Sequence, residues 1–312
     1  MIKKISVIGT GVIGTGWIVR CLAHNKKVIA YDKDLNLEKK IINEIKRAWP
    51  YAKKLFNKKK LNLKNFQYVT SIKTAVKDAD FIQECAIENY KIKTKLMNVI
   101  GKFAKNNAII SSSSSGLLPS RIYSKCNKPE RTIIGHPFNP VYLCPGVEIV
   151  PGKKTKKKFL NKANKFYKSI SMNPIMVKKE LPGYLSDRLQ EALWREALHI
   201  INEGYATTKD LDRAIEDGPG LRWSLMGTFL TFHLAGGKAG MKHMLKQFGP
   251  ALKLPWTKLK APKLSKKLSS KVIKGTKLQA RGKSVSDISN IRDEYLVNLQ
   301  KLRKKYEDKI RK

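Results

Sequence analysis

Short apolar, β-branched runs alternate with stretches whose apolar residues return every three or four positions. The runs are ISVIG (5–9), KVIAYD (27–32), FQYVT (66–70), DFIQECA (80–86), AIISSS (108–113), TIIGHPF (132–138), GVEIV (146–150) and NPIMVK (173–178). Their length and branching predict buried strands. LNLEKKIINEIKRAWPYAKKLF (35–56) and YKIKTKLMNVIGKFAK (90–105) carry the helical period between them. Strand and helix in alternation predict a parallel, doubly wound sheet.

The pattern changes at KKELPGYLSDRL (178–189), where Pro182 and Gly183 signal a loop. From Tyr184 a helix is expected, with Leu185, Leu189, Leu193, Ala197 and Ile200 at helical spacing and Gly204 placed to end it. No strand pattern follows. The chain therefore reads as an α/β domain over 1–180 and an all-helical domain over 181–312. The tail from Lys258 is rich in Lys and Ser, and 290–310 regains helical periodicity. Apolar faces such as LMGTFLTFHLAGG (225–237) suggest burial between subunits, and a two-fold homodimer is the commonest soluble assembly.

Charge adds a question. Lys and Arg number 64 against 24 Asp and Glu, a net charge of +40 over 312 residues. Lysine far outnumbers arginine, whereas phosphate and base recognition favours the planar arginine fork. The lysines are scattered, with short clusters at 57–60 and 153–158. Diffuse positive charge gives only non-specific attraction to polyanions, so no specific nucleic-acid partner is expected. Cys21, Cys85, Cys126 and Cys144 have no pairing or metal spacing, which suits reduced thiols in a cytoplasmic protein without a metal. No run of 18 apolar residues exists, so no membrane span is expected.

Two constellations carry chemistry. Gly9, Gly11 and Gly14 stand in G-x-G-x-x-G spacing directly after the first strand and at the start of a helix. The loop Gly9, Thr10, Gly11, Val12, Ile13, Gly14 then serves a tight turn, close approach of a pyrophosphate, and packing of helix on strand. The phosphates face the helix N-terminus. Asp32, eighteen residues after Gly14 and at the end of the second strand, is placed for the adenosine ribose hydroxyls. A carboxylate there repels a 2′-phosphate, so NAD is expected over NADP in a Rossmann-type domain. The second constellation is a single imidazole and a single carboxylate in apolar surroundings, His136 and Glu148. On neighbouring strands they face each other, and a carboxylate beside an imidazole builds a general base for an alcohol proton. The serine run 111–115 ends a strand at the carboxyl edge, where ligands bind in such sheets.

VIGTGVIGTGW, AIENYKIK, SSSSGLLPS, GHPFNPVY with VEIV, and PGYLSDRL together resemble the 3-hydroxyacyl-CoA dehydrogenase superfamily, in order and through most of the chain. The resemblance implies NAD-dependent oxidation of a 3-hydroxy acid or thioester. It assigns the base to His136, its orientation to Glu148 and a hydroxyl to Ser115. The nucleotide site takes Glu88, Lys93 and Asn139. Asp187 departs from the asparagine of the CoA members; its charge is a poor match for polyanionic CoA and suits a cationic substrate. Residues 193–256, most densely GPGLRWSLMGTF (218–229), resemble the L-carnitine dehydrogenase branch of the superfamily. That likeness implies a small-molecule substrate, carnitine. Its trimethylammonium has no N–H and is held by aromatic faces, with Phe138, Tyr142, Trp223, Phe229 and Phe232 as candidates. Its carboxylate suits Arg222. Another 3-hydroxy acid or a hydroxyacyl-CoA is the enzymatic alternative. A basic structural or nucleic-acid-associated protein is the non-enzymatic one, since fold alone does not fix function.

Overall fold

The computed structural model describes residues 2–56, 60–223 and 226–257, with scattered positions from Ser265 to Leu302. The chain divides into two compact units, Met1–Gln190 and Glu191–Lys312.

All eight expected strands form. They are β1 (Lys4–Ile8), β2 (Lys27–Tyr31), β3 (Phe66–Val69), β4 (Phe81–Glu84), β5 (Ile109–Ser112), β6 (Thr132–Pro137), β7 (Gly146–Pro151) and β8 (Asn173–Met176), in one sheet of order β3-β2-β1-β4-β5-β6-β7-β8. The sheet is parallel from β3 to β6. It is not parallel throughout: β7 pairs antiparallel with β6, and β8 follows β7. The cause is the short link 138–145, because a parallel partner needs a crossover of a dozen residues or more.

Helices α1 (Val12–Ala23), α2 (Leu37–Leu55), α3 (Ile72–Val76), α4 (Tyr90–Phe103), α5 (Pro119–Ile122) and α6 (Lys157–Ser169) complete this unit. Two buried clusters flank the sheet. One gathers Trp17, Ile18, Ile45, Phe81, Phe166 and Tyr167; the other gathers Ile82, Met97, Ile100, Ile110, Tyr123 and Tyr184. Helix α1 is locked to the 138–145 link by Arg20, which is fully buried. Its guanidinium donates to the carbonyls of Val141 (2.7 Å), Cys144 (2.9 Å), Ile170 (3.1 Å) and Ser171 (2.9 Å). A buried cation without such acceptors would be costly. Burial pushes this guanidinium down to about 10.

Helix α7 (Ser186–Asn202) crosses from the first unit into the second and ends before Gly204, whose φ is +76°. Leu185 just before it and Leu189, Leu193, Trp194 and Leu198 along it are exposed. In the second unit α8 (Thr208–Glu216), α9 (Gly220–Trp223), α10 (Thr228–Ala235) and α11 (Met241–Phe248) follow, and among the described residues there is no strand. A small core of Met226, Leu234, Ala280 and Ile288 belongs to this unit. The helical expectation for 290–310 lies outside the described residues, save Ile291 and Leu302. No described helix is long and apolar enough to cross a membrane.

Candidate active site

The antiparallel register sets His136 directly opposite Glu148. Directly opposed side chains on one face are close enough to interact, and Nδ1 of His136 lies 2.8 Å from Oε2 of Glu148. Glu148 is fully buried and His136 nearly so. The same carboxylate accepts from Ser186 Oγ (2.6 Å), Ser186 N (3.1 Å) and Leu185 N (2.9 Å). Burial pushes the Glu148 carboxyl up. The donors from His136, Ser186 and Leu185 together outweigh it, so the carboxyl sits below its ordinary range. Glu148 is thus an acceptor on all sides. Nδ1 must carry its hydrogen toward it, which leaves the Nε2 lone pair facing outward.

On that outward side stands Asp187, its Oδ2 3.8 Å from Nε2. The rings of Phe138 and Tyr184 flank the imidazole at 5.6 and 5.7 Å between centroids. Tyr184 is no competing base. Its hydroxyl donates to the Leu117 carbonyl (2.6 Å), and burial pushes it up.

A second charged cluster closes the carboxyl edge of β4 and β5. Glu84, fully buried at the end of β4, takes Lys93 Nζ on both oxygens (2.8 and 3.0 Å) and Ser112 Oγ at 2.5 Å. Lys93 also donates to the Ala86 carbonyl (2.9 Å) and lies 3.5 Å from Glu88. Glu88 in turn accepts from Ser114 Oγ (2.5 Å), Ser115 N (3.0 Å) and Gly116 N. The family motif AIENYKIK therefore props the serine loop. Ser115 is exposed and meets Glu88 through its backbone amide, whereas the hydroxyl that Glu88 takes is that of Ser114, buried like those of Ser111 and Ser112.

The glycine loop borders a cleft of about 650 Å³ lined by Thr10, Gly11, Val12, Asp32, Asn139 and Tyr142 among others. Asn139 and Asp32 thus share one cavity. Asp32 Oδ2 accepts from Thr10 N (3.0 Å) and Thr10 Oγ1 (2.8 Å), fixing the loop to the end of β2. Gly9, Ile13 and Gly14 shape the loop from within. Gly9 has φ +94°, Ile13 packs on the core, and a Cβ on Gly14 would come 2.0 Å from the Gly9 carbonyl oxygen. A Cβ on Gly11 meets no atom within 4 Å. That open space at the uncapped N-terminus of α1, with no acidic residue in its first turn, is what a dinucleotide pyrophosphate requires. The residues present therefore fit NAD.

Tyr142 lines this nucleotide cleft, whereas the rings that flank His136 are those of Phe138 and Tyr184. Arg222, Trp223, Phe229 and Phe232 belong to the second unit, on α9 and α10. The three aromatic rings are exposed there. Arg222 Nε is enclosed, with no hydrogen-bond partner among the described residues. Two supporting residues escaped the sequence pattern. Glu84 is a lone carboxylate in an apolar strand, the same signal that marks Glu148. Ser186 carried no signal, because its role depends on α7 starting beside β7.

The 3-hydroxyacyl-CoA dehydrogenase NAD-binding domain matches residues 4–181, and the C-terminal domain of the same family matches 183–275. L-carnitine dehydrogenase of Oceanobacillus iheyensis is 50% identical over 297 residues, covering 95% of this chain and 97% of that protein. The L-carnitine dehydrogenase of Bacillus cereus is 48% identical, covering 98% and 94%. Among solved structures, an NAD+-dependent 5-formyl-3-hydroxy-2-methylpyridine 4-carboxylic acid 5-dehydrogenase shares the fold with a TM-score of 0.75 at 22% identity, covering 97% and 98% of the two chains. The 3-hydroxyacyl-CoA dehydrogenase of Archaeoglobus fulgidus does so at 0.70 and 23%, covering 96% and 98%. The chain belongs to the 3-hydroxyacyl-CoA dehydrogenase family, and residues 4–181 are its NAD-binding domain.

Proposed function

We propose that this protein oxidises L-carnitine to 3-dehydrocarnitine with NAD. The observation that carries the reading is the near-half identity, over almost the full length of both partners, to proteins named L-carnitine dehydrogenase. Bound NAD supplies the hydride acceptor. Thr10, Gly11 and Val12 border its pyrophosphate, Asp32 its adenosine ribose, and Asn139 the same cleft, while Glu88 and Lys93 serve the nucleotide site from behind by holding the serine loop. Ser115 offers a hydroxyl at the edge of the serine loop. His136 takes the substrate hydroxyl proton at Nε2. Glu148 keeps the Nδ1 hydrogen in place and stabilises the imidazolium that forms.

The substrate carries a carboxylate and a trimethylammonium, and the chain has chemistry for both. Arg222 Nε has no partner among the described residues and is a donor for the carboxylate. Phe138, Trp223 and Phe229 offer ring faces for the cation, each contact worth ~0.5–2 kcal/mol, and Asp187 adds a negative charge. The exposed apolar stripe on α7 supports a homodimer in which a second copy covers it. The thiol usage supports a cytoplasmic location. The test is His136→Ala. Turnover should fall by roughly a hundredfold or more, the usual scale for a lost general base, while NAD binding by tryptophan quenching is retained. Wild-type turnover in this variant at neutral pH contradicts the assignment.

A further inference from the structure

We infer that Asp187 is the proton relay that clears His136 after each turnover, a role that rests on the dehydrogenase reading above. The base sits in a closed corner. His136 is 5% exposed and Glu148 0%. Phe138 and Tyr184 wall the ring. Among the described residues two carboxylates lie within 4 Å of the imidazole, one on each nitrogen. They are not equivalent. Glu148 is surrounded by four donors and has no path outward. It can hold the imidazolium and cannot pass a proton on. The Tyr184 hydroxyl is committed to the Leu117 carbonyl. Asp187 stands on the Nε2 side, where the substrate proton arrives, and its side chain is 32% exposed. It alone of the two carboxylates reaches from the base to solvent.

The step balances as follows. The substrate O–H bond breaks and an Nε2–H bond forms, while Nδ1–H stays donated to Glu148. The Nε2–H bond then breaks and the proton moves to an Asp187 oxygen. At 3.8 Å this needs one bridging water or a closure of about 1 Å, either of which brings proton transfer within reach. Asp187 gives the proton to solvent and is again a carboxylate. The two electrons leave with the reduced nicotinamide, so only a proton passes through the relay. His136 is returned neutral, ready for the next hydroxyl.

The experiment compares wild type, Asp187→Asn and Asp187→Glu with saturating L-carnitine and NAD in dilute, poorly proton-accepting buffer. Asn keeps the shape and cannot accept a proton; Glu can. The relay predicts kcat about tenfold or more lower in D187N, restored toward wild type as formate is added. D187E should stay within about threefold of wild type, and NAD binding by tryptophan quenching should be equal in all three. Three results each overturn the relay: a D187N kcat within twofold of wild type, a loss confined to the KM for L-carnitine, or a kcat loss indifferent to formate. The second of these would make Asp187 a reader of substrate charge only. Wild-type protein that fails to oxidise L-carnitine overturns the substrate reading and the relay with it, whereas active wild type with unaffected D187N overturns the relay alone.

Discussion

Replacing Glu148 by Gln tests the geometry at its most constrained point. Both carboxylate oxygens are ringed by donors: His136 Nδ1 and Ser186 Oγ at one, the Leu185 and Ser186 amides at the other. A glutamine must put an NH2 group at one of these positions. Toward the two backbone amides it has no acceptor at all, so the NH2 turns to Nδ1. The imidazole then holds its hydrogen on Nε2, the wrong tautomer for taking a proton from substrate. The lost charge adds to this. Nδ1 and Oε2 are 2.8 Å apart. The imidazolium charge is spread over the ring, so a separation of about 4 Å is the fairer one, worth ~4 kcal/mol at an effective dielectric near 20. That corresponds to about three decades in rate, and the comparable loss of a histidine's orienting carboxylate elsewhere reaches roughly four. The assay is single-turnover formation of reduced nicotinamide by absorbance, with thermal melting to verify that the variant is folded. A Gln variant within tenfold of wild type would refute the reasoning and make Glu148 a structural residue only.

Two further outcomes concern the glycine loop and the pH dependence of folding. Gly11→Ala should keep its melting temperature within a few degrees yet weaken NAD at least about tenfold, because its Cβ fills only the space offered to the pyrophosphate. Gly14→Ala should instead lose stability, since its Cβ collides with the Gly9 carbonyl; calorimetric melting with and without NAD separates them, and equal melting losses in both would contradict the loop's division of labour. The Glu148 carboxyl lies below its ordinary range in the folded protein, so its contribution to stability is complete above the unfolded value and fades as pH falls through the folded one. The urea midpoint of wild type should therefore drop more steeply than that of Glu148→Gln below about pH 4.3, the ordinary glutamate value; parallel curves would show that the hydrogen bonds do not hold the charged form.

Much of this was legible in the residues, for physical reasons that differ from element to element. The strands announced themselves because buried strands need continuous β-branched runs. The His136–Glu148 pair did so because a lone imidazole and a lone carboxylate stand out in apolar segments. The same argument applied to FIQECA would have found Glu84. Its partner Lys93 was reached only through the family resemblance, because nothing in the residues themselves separates a buried lysine from the many exposed ones. Helix α6 was masked in the same way: KKTKKK reads as a charge cluster, yet Phe159, Ala163, Phe166 and Tyr167 bury one face of the helix that follows. That Tyr142 lines the nucleotide cleft was not legible, because the direction of its side chain depends on how the 138–145 link turns, and that link is held by Arg20 from 121 residues earlier. Long-range hydrogen bonds of that kind leave no local pattern.

The measurement closest to the central claim is a substrate panel with NAD, comparing kcat/KM for L-carnitine, 3-hydroxybutyrate and 3-hydroxybutyryl-CoA. 3-Hydroxybutyrate keeps the hydroxyl and carboxylate and lacks the cation; the thioester lacks the cation and adds a polyanion. If two aromatic rings and one carboxylate hold the trimethylammonium as proposed, they are worth ~3 kcal/mol together, and L-carnitine should lead both by about a hundredfold. Efficient turnover of the CoA thioester with no activity on L-carnitine would contradict the account of the substrate.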